Sequence, residues 1–175
     1  MRIIAGKLKG RKIDTQGKGL RPTTSVVKSA LFNILGDDII NKIFIDVFAG
    51  TGSVGFEAYS RGAKEVIFIE NERNAIKLLE ENIKKLNVNG RVIGINAFTF
   101  LKNYEIENDF IFFSPPYDTI HWPSLTREIE KSRLIKNSLI IIQHPKYVEI
   151  ESFLLNKIDV RRYGLNKLTF LRSKE

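Results

Sequence analysis

Residues 43–55 read Ile43-Phe44-Ile45-Asp46-Val47-Phe48-Ala49-Gly50-Thr51-Gly52-Ser53-Val54-Gly55. The first part is an apolar run rich in β-branched and aromatic side chains, interrupted only by Asp46. Such a run suits a strand buried on both faces. The second part spells G-x-G-x-x-G, the pattern of a tight turn that opens a helix, where glycine lets the backbone turn sharply and a ligand approach. A second apolar run, Val66-Ile67-Phe68-Ile69, ends at Glu70. That is the place for a carboxylate that accepts hydrogen bonds from ribose hydroxyls. Together the two runs predict a nucleoside-binding βαβ unit.

A glycine turn of this kind also occurs where it only packs a helix on a strand, so Asp46 carries the distinction. A pyrophosphate would be repelled by a carboxylate just upstream of the loop. The sulfonium and ammonium groups of S-adenosylmethionine would be attracted by it. Asp46 and Glu70, at adjacent strand ends, therefore favour S-adenosylmethionine over a nicotinamide dinucleotide.

Composition narrows the class. The chain has 175 residues, enough for one domain with a sizeable core. It contains no cysteine, which removes disulfides and thiolate metal sites and fits a reducing cytoplasm. No apolar run approaches the roughly 20 residues of a membrane span. Lys7, Lys9, Arg11 and Lys12 leave no signal-peptide core at the N-terminus. With 28 Lys and Arg against 20 Asp and Glu, the net charge is +8, and nucleic acid is the default partner for such an excess.

Taken in order, residues 2–13 hold two short apolar pieces around a glycine-containing turn, which predicts a β-hairpin. Arg2, Lys7, Lys9, Arg11 and Lys12 make it basic and no acidic residue offsets them, so it reads as an arm lying on phosphates. Gly17 and Gly19 mark a connection to Leu20-Arg21-Pro22-Thr23-Thr24-Ser25. There Arg21 is a further candidate RNA contact, or a surface charge. An amphipathic helix with a Thr or Ser cap follows, ending near Gly36. Beyond the glycine loop the periodicity predicts a helix to about residue 60, strand 65–69, helix 72–86 and strand 91–95. Asn96 follows as an adenine contact or as a helix cap. Strand 109–113, a helix near 124–131 and strand 139–142 come next. Strands near 157–163 and 167–171 are joined so briefly that they must pair antiparallel. Strands alternating with helices, closed by a terminal hairpin, give a doubly wound α/β sheet with an antiparallel edge. The chain divides into a basic arm over 1–20 and a core over 21–175, within a single domain.

The fourth strand runs straight into Ser114-Pro115-Pro116-Tyr117. Consecutive prolines donate no ladder hydrogen bonds and hold the preceding residues extended. The loop is therefore stiff, with outward carbonyls. An exocyclic amine of a nucleobase is a poor nucleophile whose two N–H groups need acceptors as nitrogen attacks a methyl carbon. The Ser114 hydroxyl and the Pro115 carbonyl can supply them, and Tyr117 can stack on a base taken out of its helix. Positioning then supplies most of the catalysis. No metal is expected. His121 and His144 are read as surface or satisfied core residues, and Trp122 as a packing residue.

With these residues in hand, the chain resembles the bacterial 16S rRNA guanine-N2 methyltransferase family of the RsmD type. The matching pieces run nearly end to end. They include Arg2-Ile3-Ile4-Ala5-Gly6, Leu20-Arg21-Pro22-Thr23-Thr24, Asp46-Val47-Phe48-Ala49-Gly50-Thr51-Gly52, Ser60-Arg61-Gly62-Ala63, Asn96-Ala97 and Pro115-Pro116-Tyr117. The resemblance implies a seven-stranded, Rossmann-like methyltransferase fold. It implies S-adenosylmethionine as donor and, as acceptor, a guanine of 16S rRNA within an assembling small subunit. It places Thr23, Asp46, Phe48, Gly50, Gly52, Glu70, Asn71, Asn96, Ala97 and Ser114 at the donor site, with Glu70 on the ribose and Asn96 and Ala97 on the adenine. It places Ser114, Pro115 and Tyr117 at the reacting amine, in a protein expected to act as a monomer in the cytoplasm. The family usually carries Asp, sometimes Asn, where this chain has Ser114. Ser-Pro-Pro-Tyr looks more like enzymes acting on cytosine N4. Amino methylation of cytosine or adenine, and an inactive RNA-binding assembly factor, stand as the alternatives.

Overall fold

The computed structural model describes residues 1–15 and 23–174. The expected connection at Gly17 and Gly19, and Arg21, lie outside the described residues. Helix α1 (Ser25–Leu35) starts where the Thr24 side chain accepts from the Val27 N–H. A short 3-10 turn, Gly36–Ile39, follows. Then strand β1 (Ile43–Val47), helix α2 (Ser53–Ser60), strand β2 (Glu65–Glu70), helix α3 (Arg73–Leu86), strand β3 (Gly90–Gly94) and helix α4 (Ala97–Asn103) alternate. Strand β4 (Phe110–Phe113), helix α5 (Trp122–Lys131), strand β5 (Leu139–Pro145) and the hairpin β6 (Leu155–Tyr163) and β7 (Asn166–Ser173) complete the fold.

The seven strands form one sheet in the order β3-β2-β1-β4-β5-β7-β6. The first five pair in parallel, and β7 runs antiparallel between β5 and β6. This is the doubly wound sheet with an antiparallel edge expected from the alternation of strands and helices. Strand order reverses between β1 and β4. In open α/β sheets the crevice beyond the strand ends at such a reversal is where ligands bind.

The alternation of side chains along a strand decides which face each residue serves. Phe44 of β1 belongs to an apolar cluster with Phe68, Phe110 and Phe112, covered by α1, α2 and α3. Ile45 and Val47 belong to the opposite cluster, with Ile67, Ile69, Ile111 and Phe113, covered by α4 and α5. Asp46 has Phe68 and Phe112 as its register partners on the neighbouring strands. Period two therefore aims it at the α2 side, the side of Phe44.

The hairpin expected over residues 2–13 is a chain reversal closed by a single bridge, Arg2 to Lys12. Across the reversal Ile3 N–H donates to the Arg11 carbonyl, Gly10 N–H to the Ile3 carbonyl and Ile13 N–H to the Met1 carbonyl, while the N–H groups of Ile4, Ala5, Lys7 and Leu8 turn to α2 and keep the ladder short. Ile4 and Ala5 donate to the two Glu57 carboxylate oxygens at 2.9 and 3.0 Å. Lys7 donates to the Ser60 carbonyl at 2.8 Å. Ile3 and Ile13 are buried in the same cluster as Phe44. Asp14 and Asn82 of α3 exchange two hydrogen bonds. Gly6 sits at φ +80°, and a Cβ there would lie 1.9 Å from the Ser60 carbonyl oxygen. The approach of the arm to α2 is thus closed to any larger residue.

Among the described residues, no helix is long and apolar enough to cross a membrane.

Candidate active site

A cavity of about 330 Å³ opens at the strand-order reversal. The ends of β1 and β2 supply Asp46, Phe48, Gly50, Glu70 and Asn71, and the segment after β4 supplies Ser114, Pro115 and Tyr117. Thr23, just ahead of α1, lines it as well. Nine of the sequence-derived site residues therefore share one wall-to-wall space.

Asp46 is 2 % exposed. Its Oδ2 accepts the Gly55 N–H at 2.9 Å, in the first turn of α2, where the helix dipole favours an anion. Burial pushes its carboxyl up to about 8, against the opposing pull of that hydrogen bond; the nearby Glu70 charge raises it further. Burial thus favours the protonated form of Asp46 in the free protein, where the sequence reading expected an anion, because little water reaches it. A ligand cation placed beside it would favour ionisation.

Glu70 turns back over the glycine loop. Its Oε2 accepts from Gly50 N–H at 2.8 Å, and its Oε1 accepts from Asn71 and Glu72 at 2.8 and 3.0 Å. Carboxylate oxygens carry more than one acceptor site each, so the group is held in place with acceptor capacity left. Phe48 lines the same cavity at φ +61°. A bulky residue in that region costs on the order of 1–3 kcal/mol and marks sites where backbone shape matters.

Three predicted donor-site residues lie apart from this cavity. Gly52 is turned the other way. A Cβ there would meet Leu79 at 2.5 Å and Phe56 at 2.7 Å, so it serves the packing of the loop on α2 and α3. Asn96 is the cap of α4, its Oδ1 accepting the Phe98 N–H at 2.8 Å. Ala97 is buried among the residues under α4. Of the two roles open to Asn96, this geometry gives the cap. The arm residues Arg2, Lys7, Lys9, Arg11 and Lys12 are all exposed, with the Lys7 ammonium 3.6 Å from the centre of the Tyr59 ring.

Sequence reasoning missed the network that fixes Tyr117. Its hydroxyl donates to Asn166 Oδ1 at 2.7 Å and accepts from Gln143 Nε2 at 3.1 Å. Gln143 Oε1 in turn accepts from the Thr23 hydroxyl at 2.9 Å. The Tyr117 ring also rests against Trp122, centroids 6.0 Å apart. Gln143 follows the run Leu139-Ile140-Ile141-Ile142 as Asp46, Glu70 and Ser114 mark the ends of their own strands, and that position was the available signal. Asn166 had none, because only the pairing of Pro145 with Asn166 brings the tail hairpin here. His144 is buried and satisfied by the Thr169 hydroxyl and the Pro145 carbonyl, and His121 caps α5.

The comparisons with known proteins bear on this geometry directly. The family model described as "Conserved hypothetical protein 95" matches residues 1–172. The chain belongs to this family. It is the RsmD-type family that the motifs resemble. The Ribosomal RNA small subunit methyltransferase D of Buchnera aphidicola (subspecies Acyrthosiphon pisum) is 35% identical over 155 residues, covering 87% of this chain and 74% of that one. Its namesake in Haemophilus influenzae is 36% identical over 153 residues, covering 83% and 79%. The solved protein yhhF of Escherichia coli, named as a methyltransferase, superposes with a TM-score of 0.85 at 29% identity, over 99% of this chain and 97% of that one. A family member with this sheet has the methyltransferase fold.

Proposed function

We propose that this protein transfers a methyl group from S-adenosylmethionine to the exocyclic N2 amine of a guanine in 16S rRNA. The observation that carries the reading is one cavity in which Asp46 and Glu70 face the Ser114-Pro115-Pro116-Tyr117 segment. The donor set fits this cofactor. Buried or half-buried carboxylates suit a sulfonium, an ammonium and ribose hydroxyls, and they disfavour a pyrophosphate. Asp46 would face the cation and Glu70 the ribose, with Thr23, Phe48 and Asn71 beside them. When bound, the cofactor supplies an electrophilic methyl carbon and a neutral thioether leaving group.

The chain's own residues do the positioning. The Pro115 carbonyl and the Ser114 hydroxyl would each accept a hydrogen bond from the amine and so orient its nitrogen lone pair. Both oxygens would stabilise the positive charge that the amine gains as its N–C bond replaces the methyl C–S bond, before the surplus proton passes to solvent. Tyr117, held by Asn166 and Gln143, offers the base a fixed surface. Guanine is the base because the relatives named above are small-subunit rRNA methyltransferases and the chain carries the RsmD-type motifs. The substrate is taken to be an assembling small subunit, met in the cytoplasm by a monomer whose basic arm lies on RNA phosphates.

The test is mass mapping of modified nucleosides in small-subunit rRNA with and without this protein. N2-methylguanosine that depends on the protein is expected. A methylated cytosine or adenine instead would overturn the choice of base. No product from the wild type, with activity appearing only in Ser114→Asp, would favour the RNA-binding assembly factor.

A further inference from the structure

A second, smaller hollow of about 180 Å³ adjoins the first, and Tyr117, Asp118 and Asn166 line both. Its far wall is made by Tyr147, Leu165 and Lys146. Tyr147 is 77 % exposed and Leu165 61 % exposed. Large apolar side chains so exposed at a shared wall mark an interaction site rather than a core. The wall is also braced. Lys146 N–H donates to the Leu165 carbonyl at 2.8 Å, which ties the end of β5 to the β6–β7 turn. The Lys146 side chain is exposed.

We propose that this hollow is a subsite for the nucleotide adjacent to the methylated base, with its base stacked on Tyr147 and its phosphate met by Lys146. The inference rests on the RNA methyltransferase reading above. Three observations favour a nucleotide as the occupant. The hollow shares Tyr117, Asp118 and Asn166 with the cavity proposed to take the target base, which places a neighbouring nucleotide of the same strand within reach of it. Its volume falls below the roughly 300–1,000 Å³ of a pocket that encloses a whole small molecule, and it suits one flat group lying half open. An exposed aromatic face with a cation beside it is the arrangement that binds single-stranded nucleic acid through stacking plus phosphate contact.

Stacking also sets the expected size of the effect. Removing an aromatic platform weakens binding by on the order of 5- to 150-fold per base. Single-turnover methylation of small-subunit particles, measured across particle concentration, tests the inference with wild type, Tyr147→Ala and Tyr147→Phe. Tyr147→Ala should raise the particle concentration for half-maximal rate by about tenfold or more. Tyr147→Phe should stay near wild type, and S-adenosylmethionine binding should be the same in all three. If wild type methylates rRNA and Tyr147→Ala has an unchanged particle dependence, the subsite is overturned while the methyltransferase reading stands. If wild type leaves rRNA unmodified, the reading beneath the subsite fails and the subsite fails with it. Equal losses in Ala and Phe would also overturn it, since Phe keeps the stacking face.

Discussion

A buried acid that holds its proton at neutral pH makes a folded protein sensitive to pH in a definite direction. The Asp46 carboxyl, raised from 3.8 to about 8, keeps in the folded state a proton that the unfolded chain releases near pH 4. Its stabilising contribution is complete below pH 4 and is lost as pH rises towards 8. Asp46→Asn has no such proton and keeps an oxygen for the Gly55 N–H. It should therefore melt higher than wild type near pH 8, by about 2–4 °C for each kcal/mol recovered in a chain of this size. The same substitution should weaken S-adenosylmethionine binding at least about tenfold, because a charge-assisted contact contributes roughly 1.5–3 kcal/mol. In wild type, affinity should rise from pH 6 to 8.5 as ligand binding no longer has to expel that proton. Titration calorimetry across pH, with scanning calorimetry of the free variant, measures both; a pH-independent affinity would defeat the account. Ser114 is the other residue whose chemistry is open to direct test. Its hydroxyl is a neutral acceptor, and charged acceptors are roughly twice as strong. Ser114→Ala should slow single-turnover methyl transfer about 10²-fold with donor binding intact. Ser114→Asp should match or exceed wild type. A Ser114→Ala rate equal to wild type would remove the hydroxyl from the mechanism.

Among the elements, the N-terminal arm depends most on its docking. Its charge alone does not specify its place; Gly6 and Glu57 do. Gly6→Ala leaves every charge unchanged but puts a methyl group 1.9 Å from the Ser60 carbonyl oxygen, so the arm must lift. The expected result is weaker binding to small-subunit particles with S-adenosylmethionine affinity unaltered. Binding equal to wild type would mean that charge without placement is sufficient. Replacing Lys9, Arg11 and Lys12 with Gln should leave the arm docked and flatten the salt dependence of RNA binding, by roughly 0.7 in log–log slope for each single-strand phosphate no longer neutralised. How far the sequence revealed these elements follows from where their signals lie. β4 is a continuous apolar run, β1 is broken only by Asp46 and β2 is apolar between its two terminal glutamates, and α3 has one apolar face with Glu72 as its cap, so all were legible locally. The arm was not. Its apolar residues suggested strands, yet the N–H groups of Ile4 and Ala5 go to a helix more than fifty residues later. Asp46, Glu70 and Ser114 could be found because strand ends at one edge converge. Asn166 could not, since it arrives through the register of an antiparallel edge. Gly52 was assigned to the ligand because a glycine motif states that a Cβ is absent without stating which neighbour requires it.

The whole molecule separates its charges by place. Asp46, Glu70 and Asp118 line the cavity in a chain of net charge +8, so under the proposed function a cationic donor and a polyanionic acceptor would be drawn to different parts of one surface. The sheet beneath is shared by both apolar clusters, and that predicts cooperative loss of the two sites. Phe44 is fully buried, with ring centroids 6.1, 6.4 and 6.5 Å from Phe32, Phe110 and Phe112. Phe44→Ala should cost about 3–5 kcal/mol. In chemical denaturation monitored by tryptophan fluorescence and by circular dichroism, the midpoint should fall equally for both probes. Separate transitions would show that the faces unfold independently. Helix α2 binds the two ends of this design to each other. Gly55, near its start, holds the Asp46 carboxyl, and Ser60, at its end, holds the arm through Lys7 N–H, Leu8 N–H and the Ala5 carbonyl. At about 1.5 Å per residue, the rise between them is about 7–8 Å. The helix acts as a gauge block: under the proposed function it would set how far the methyl group stands from an RNA backbone held by the arm. One residue added to it would rotate the arm about 100° around the helix axis, changing no charge yet turning the arm away from its present bearing on the cavity.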